Sequence, residues 1–189
     1  DDFTNSGDID VAALANVGVS LAADSDDGDA TAFISSEDSN VDMSATATAY
    51  GLAVSVTGTV SGDFNNAGNV ASLANAGVVV ALDADSLVGA ADAYITAETD
   101  INIDAAASAY AVYVDIGIIS GDFINSGDLL VGALGTVDVG LTAYAADGTA
   151  RAFILSDSSD IDISATASAY GMGVSVTTLD GSFTNSGNI

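Results

Sequence analysis

A motif of about ten residues returns through the chain at near-constant spacing, and this constrains the fold more than any other feature. It reads Asp2-Phe3-Thr4-Asn5-Ser6-Gly7-Asp8-Ile9, then Ser61-Gly62-Asp63-Phe64-Asn65-Asn66-Ala67-Gly68-Asn69-Val70. It comes back as Gly121-Asp122-Phe123-Ile124-Asn125-Ser126-Gly127-Asp128-Leu129, and again as Gly181-Ser182-Phe183-Thr184-Asn185-Ser186-Gly187-Asn188-Ile189. The phenylalanines at 3, 64, 123 and 183 are 61, 59 and 60 residues apart, giving units of approximately 3–63, 64–122 and 123–182 and the start of a fourth, 183–189. A fixed period marks a single array, here spanning 1–189, whose units bury their apolar faces against one another.

A weaker echo at Phe33-Ile34, Tyr94-Ile95 and Phe153-Ile154 halves the interval. Aromatics then fall at 3, 33, 64, 94, 123, 153 and 183. This predicts an all-β parallel β-helix (β-solenoid) of about six 30-residue coils in three 60-residue repeats. At about 4.8 Å per layer, six coils make a rod segment of about 29 Å.

The pattern inside each unit is that of strands. Ile9, Val11, Ala13, Ala15, Val17, Val19 and Leu21 share one parity, with Asp8, Asp10, Asn16 and Ser20 on the other, a period of two. In the second half, apolar residues are odd-numbered up to Ala49, and the larger ones, Leu52, Val54 and Val56, are even-numbered beyond Gly51. Such a switch predicts a corner or bulge that keeps apolar side chains inward. It recurs at Tyr110-Ala111 and Tyr170-Gly171. Asp147-Gly148 between two strand-like runs is a hairpin signal, but the near-constant period favours parallel stacking. The expected interior is a stack led by Phe3, Phe33, Phe64, Tyr94, Phe123, Phe153 and Phe183, with Ile9, Val41, Val70, Ile101, Leu129 and Ile161 beside them.

Composition agrees with this. The chain has no Pro, the residue that cannot donate to a strand ladder. It has no Cys, so neither disulfides nor thiolate metal sites exist. Arg151 is the only basic side chain against 27 acidic ones, a net charge of −26. Such a surface repels phosphate backbones and anionic membranes and attracts cations, so no nucleic acid partner is expected. No run of apolar residues is long enough to cross a membrane as a helix, and no basic leader opens the chain, so an export signal is expected outside this segment.

These residues carry a resemblance. Phe-Thr-Asn-Ser-Gly-Asp-Ile at 3–9, Ser44-Ala45-Thr46-Ala47-Thr48-Ala49-Tyr50-Gly51-Leu52 and Ser61-Gly62-Asp63-Phe64 resemble the passenger repeats of bacterial autotransporter and filamentous-haemagglutinin-like surface proteins. The resemblance covers essentially the whole chain. It implies a right-handed parallel β-helix exported to the cell surface as the structural stalk or fibre of an adhesin or filament. The alternative is a calcium-dependent adhesive or biofilm-matrix module, and a β-helix polysaccharide-acting enzyme comes after both.

Each candidate site has a structural counterpart. Asn5, Asn66, Asn125 and Asn185 are expected to stack their amides from coil to coil, and Tyr50, Tyr110 and Tyr170 to pack at a strand corner with their hydroxyls at the rim. Asp24, Asp26, Asp27 and Asp29 around Gly28 form a calcium-like turn, which makes calcium the one candidate cofactor. Glu37, Glu98 and Asp157 are expected on every second coil, about 9.6 Å apart, partly relieving their repulsion. With no His, Cys or Lys, the common general bases and nucleophiles are missing, Arg151 reads as a surface charge-pair partner, and no enzyme is expected. The chain starts and stops inside one motif, so a slice of a longer array is expected. Its partners would be other copies or flanking repeats end to end, divalent cations, and a host or neighbouring-cell surface.

Overall fold

The computed structural model describes residues 1–158 and 160–189. The first rung holds β1 (Phe3–Asn5), β2 (Ile9–Ser25), β3 (Ala30–Ser36) and β4 (Val41–Val60). The second holds β5 (Phe64–Asn66), β6 (Val70–Val88), β7 (Ala91–Ala97) and β8 (Ile101–Ile119). The third holds β9 (Phe123–Asn125), β10 (Leu129–Asp147), β11 (Ala150–Ser156) and β12 (Ile161–Leu179), and β13 (Phe183–Asn185) opens a fourth. Every pairing is parallel and joins equivalent strands of successive rungs. Four sheets result, β1-β5-β9-β13, β2-β6-β10, β3-β7-β11 and β4-β8-β12. The architecture is an all-β parallel solenoid.

The coil is sixty residues long, not thirty. Phe3 pairs with Phe64, Phe64 with Phe123 and Phe123 with Phe183, whereas Phe33 pairs with Tyr94 and Tyr94 with Phe153. The half-unit aromatics belong to a different sheet of the same rung. Three rungs at about 4.8 Å make a stack of about 14 Å instead of 29 Å. The two long sheets, β2-β6-β10 and β4-β8-β12, pack against each other, and the short sheets close the ends of the flattened cross-section.

Two apolar compartments fill the rung. The first lies between the long sheets and is lined largely by alanine, including Ala74, Ala76, Ala105, Ala107 and Ala109. Here the sheets approach so closely that a Cβ on Gly135 would lie 3.0 Å from the Ala105 carbonyl oxygen. The second holds Phe64, Val70, Val112, Val114, Ile116, Ile119 and Phe123. The strand corner separates them: Ala111 and Val112 are consecutive yet both buried, so the parity switch turns the strand while keeping its apolar side inward.

The expected aromatic interior divides in two. Phe3, Phe64, Phe123 and Phe183 stack inward, with centroids 4.6 to 4.9 Å apart, and Phe64 is 0% exposed. Phe33, Tyr94 and Phe153 also stack, at 5.4 and 5.1 Å, but on the outside, with Phe33 48% exposed. Parity decides this, because Ala32 and Ala93 take the inward positions beside them. Val41, Val70, Ile101 and Leu129 are buried, Ile9 is half-buried, and Ile161, on the outermost full rung, is 43% exposed.

The Asp-Gly signal is a turn between sheets, not a hairpin. Gly28, Gly89 and Gly148 have φ of 137°, 125° and 158°, a region open to glycine. They link β2 to β3, β6 to β7 and β10 to β11 within each rung. A Cβ on Gly89 would also lie 2.6 Å from the Gly28 carbonyl oxygen. Rung length varies at two corners. The β3–β4 turn has one residue fewer in the second rung, and the first rung carries an extra residue at Thr57-Gly58, after which Thr59 pairs with Ile118 and register is restored.

Candidate functional site

The motif's asparagines form a continuous amide ladder. Asn5 Nδ2 donates to Asn66 Oδ1 at 2.7 Å, Asn66 Nδ2 to Asn125 Oδ1 at 2.6 Å, and Asn125 Nδ2 to Asn185 Oδ1 at 2.6 Å. The second amide hydrogen of Asn66, Asn125 and Asn185 goes to the carbonyl of Gly68, Gly127 and Gly187. Asn66 and Asn125 are fully buried. Asn66 and Asn125 thus have both donors and the acceptor occupied, leaving nothing for a ligand at the centre of the ladder.

The turns flanking this ladder use acidic residues in a way that the thirty-residue reading had concealed. Asp2 Oδ1 accepts from the Asp63 amide, Asp63 Oδ1 from that of Asp122, and Asp122 Oδ1 from that of Ser182, at 2.8 to 3.1 Å. A second column accepts amides in the same manner but alternates its charge: Asp8 from Asn69, Asn69 from Asp128, and Asp128 from Asn188, at 2.9 to 3.0 Å. Where the backbone leaves the sheet, these oxygens satisfy amides that would otherwise lack a partner. Aligning the units at sixty residues is the signal that finds both columns.

Charge alternation recurs on the outer faces. Asn102 stands between Asp42 and Asp162 and donates to Asp42. Asp104 lies between Ser44 and Ser164, and Asp115 between Ser55 and Ser175. Arg151 stacks over Asp92 with two bonds, 2.9 and 3.0 Å, and Asp92 stacks over Thr31. This charge-assisted hydrogen bond, and then the charge of Asp92, raise the pKa of Arg151. Glu37, Glu98 and Asp157 are not relieved in this way. They follow equivalent strands of consecutive rungs, so their spacing is about 4.8 Å and not 9.6 Å. They edge a groove of about 300 Å³ with Ser35, Thr96, Tyr94 and Leu155.

The calcium-like turn is spread out. Asp24 sits on β2 beside Asp85 of the next rung, Asp26 and Asp27 are exposed in the turn, and Asp29 Oδ1 accepts the Ala90 amide at 2.7 Å. Among the described residues no three metal-binding side chains converge.

Tyr50, Tyr110 and Tyr170 form an outward stack at 4.9 and 4.7 Å, with Tyr113 edge-on to the first two at 5.7 Å. Tyr113 occupies a column whose other members are Ala53 and Gly173, which leave it room. The stacked rings cover one another's faces. Burial, then the neighbouring Tyr170, Tyr50 and Tyr113, raise the pKa of Tyr110.

The outward face of β2-β6-β10 was not singled out from the sequence. It exposes Leu14, Leu73 and Leu134 around a hollow of about 450 Å³, and Leu130 outside it. The chain matches no protein-family model, no curated protein and no solved structure.

Proposed function

We propose that this chain is a structural repeat segment, a stalk or fibre, of an extracellular bacterial surface adhesin or filament. The observation that carries the reading is axial continuity. The buried Phe and Asn ladders run through every rung, so the side chains that repeat most faithfully serve cohesion along one axis. The passenger-like motifs supply the location. Antibody raised against the folded chain should label intact cells of the source organism, and protease treatment of whole cells should remove the label. Labelling only after lysis overturns the reading.

A second reading, a calcium-dependent adhesive or matrix module, is favoured by the Glu37, Glu98 and Asp157 column. Its three acidic residues stand on consecutive rungs about 4.8 Å apart, and among the described residues the single ion pair is Arg151 with Asp92. In this reading divalent cations are the first partner and a host or neighbouring-cell surface the second.

A further inference from the structure

Two adjoining columns on the outward face of β2-β6-β10 combine an absence of charge with a self-complementary relief. Along the stack, one column reads Ala12, Leu73, Gly132, and the next reads Leu14, Asn75, Leu134. Large and small positions alternate along each column and are offset between the two. None of the six is a carboxylate, on a chain of net charge −26.

A second copy can be turned through a half-circle about an axis parallel to the stack and lying between these columns. Each rung then meets its own counterpart with the columns exchanged. Leu14 lies over Ala12, Leu73 over Asn75 and Leu134 over Gly132. The columns outside them exchange too, so that Asp10 faces Asn16 and Leu130 faces Thr136, a carboxylate against an amide. An antiparallel pairing that keeps each column opposite itself does the reverse: Leu73 meets Leu73 and Leu14 meets Leu134. We propose that two copies associate side by side through this face, pointing in the same direction, with their leucines interdigitated across the usual sheet-to-sheet spacing of about 10 Å.

The overlap covers about nine residues of each strand over three rungs, roughly 30 by 14 Å. That is about 800 Å² in total, below the roughly 1,200 Å² of a stable dimer. Three rungs therefore pair weakly, and longer arrays pair in proportion to their length. Asp138 of one copy comes toward Asp128 of the other at the rim, so pairing needs ionic screening.

The test is sedimentation equilibrium of the chain at up to millimolar concentration, from low salt to about 0.5 M NaCl, together with thiol trapping. A monomer at low salt and a growing dimer fraction at high salt are expected. Leu73→Asp should weaken dimerisation at least tenfold with an unchanged melting curve. Should that variant fold poorly, Leu134→Ser serves the same purpose. The chain contains no cysteine, so an Ala12→Cys chain mixed with a Leu14→Cys chain should cross-link on oxidation faster than Ala12→Cys mixed with Gly132→Cys. The opposite preference overturns the parallel arrangement. A monomer at every salt concentration, or a dimer indifferent to both leucine substitutions, overturns the pairing. Cell-surface labelling with a monomeric chain would remove the pairing and leave the stalk reading intact.

Discussion

The inner and outer columns of this solenoid follow opposite rules. Inside, identity is kept: phenylalanine on phenylalanine and asparagine on asparagine in every rung. Outside, acidic residues tend to stand beside something different, as in Asp42, Asn102, Asp162 or Thr31, Asp92, Arg151. Both follow from the rung spacing of about 4.8 Å. Identical neutral groups at that distance stack or hydrogen-bond, whereas identical charges repel by about 1 kcal/mol even in a water-like dielectric. Two outer columns depart from this rule: Asp2, Asp63 and Asp122, whose oxygens accept backbone amides of the next rung, and Glu37, Glu98 and Asp157, whose charges are left unrelieved.

The most severe break of the inner rule is Phe64→Ala, which opens a gap in a ring stack at full burial. A loss of about 3 to 5 kcal/mol is expected in denaturant or thermal unfolding. Asn66→Asp carries the outer chemistry inside. Its carboxylate would face the carbonyls of Asn125 and Gly68, and a loss of about 3 kcal/mol at neutral pH is expected. Burial raises the folded pKa of such a group, so its neutral form is favoured. The penalty should then shrink as pH falls toward 4, near the unfolded pKa. A deficit that does not change with pH would mean that charge is not the cause.

Asn102→Asp imposes identity outside, creating three stacked carboxylates with Asp42 and Asp162. It should cost about 1 kcal/mol at low salt and much less in high salt. Melting both proteins with chelator at low salt, in millimolar calcium, and in sodium chloride of matched ionic strength separates screening from binding. A rise in both salts means screening, a rise with calcium alone supports bound ions, and equal melting in all three rejects a cation role.

Ser72 sharpens the comparison from the other side. It interrupts an inner column between Val11 and Val131, and its buried hydroxyl has no hydrogen-bond partner. Ser72→Ala should leave stability unchanged or raise it by about 1 kcal/mol. The smallest effect concerns the tyrosine stack, an outer column that keeps identity because it is neutral. Burial first, then the neighbouring tyrosines, raise the Tyr110 pKa. The stability gained is present below the unfolded value of about 10 and is lost as pH rises through the folded one. Tyr110→Phe should flatten this alkaline fall in melting temperature.

The parallel solenoid was legible because the Phe-x-Asn motif recurs with both parity and spacing preserved. The coil length was not, because each half of a rung is also about thirty residues and alternates with the same period of two. Hydrogen-bond matching separates the cases. A thirty-residue coil would set Asn5 against Ser35, whose hydroxyl cannot continue an amide ladder, whereas the sixty-residue coil sets it against Asn66. The same displacement placed Phe33 inside and spaced Glu37, Glu98 and Asp157 too widely. The leucine relief on β2-β6-β10 appears only when three strands are read side by side in true register.

The extra residue at Thr57-Gly58 has a consequence for how such a chain changes over generations. Because pairing resumes at Thr59, an insertion at that corner is confined to its own rung and shifts no ladder above it. Because each rung meets its neighbours through the same columns, gain or loss of an entire unit by recombination between repeats leaves the new junction looking like any other. Small length errors are thus absorbed locally and large ones become changes of reach, so the gene can adjust the length of the rod without redesigning its cross-section.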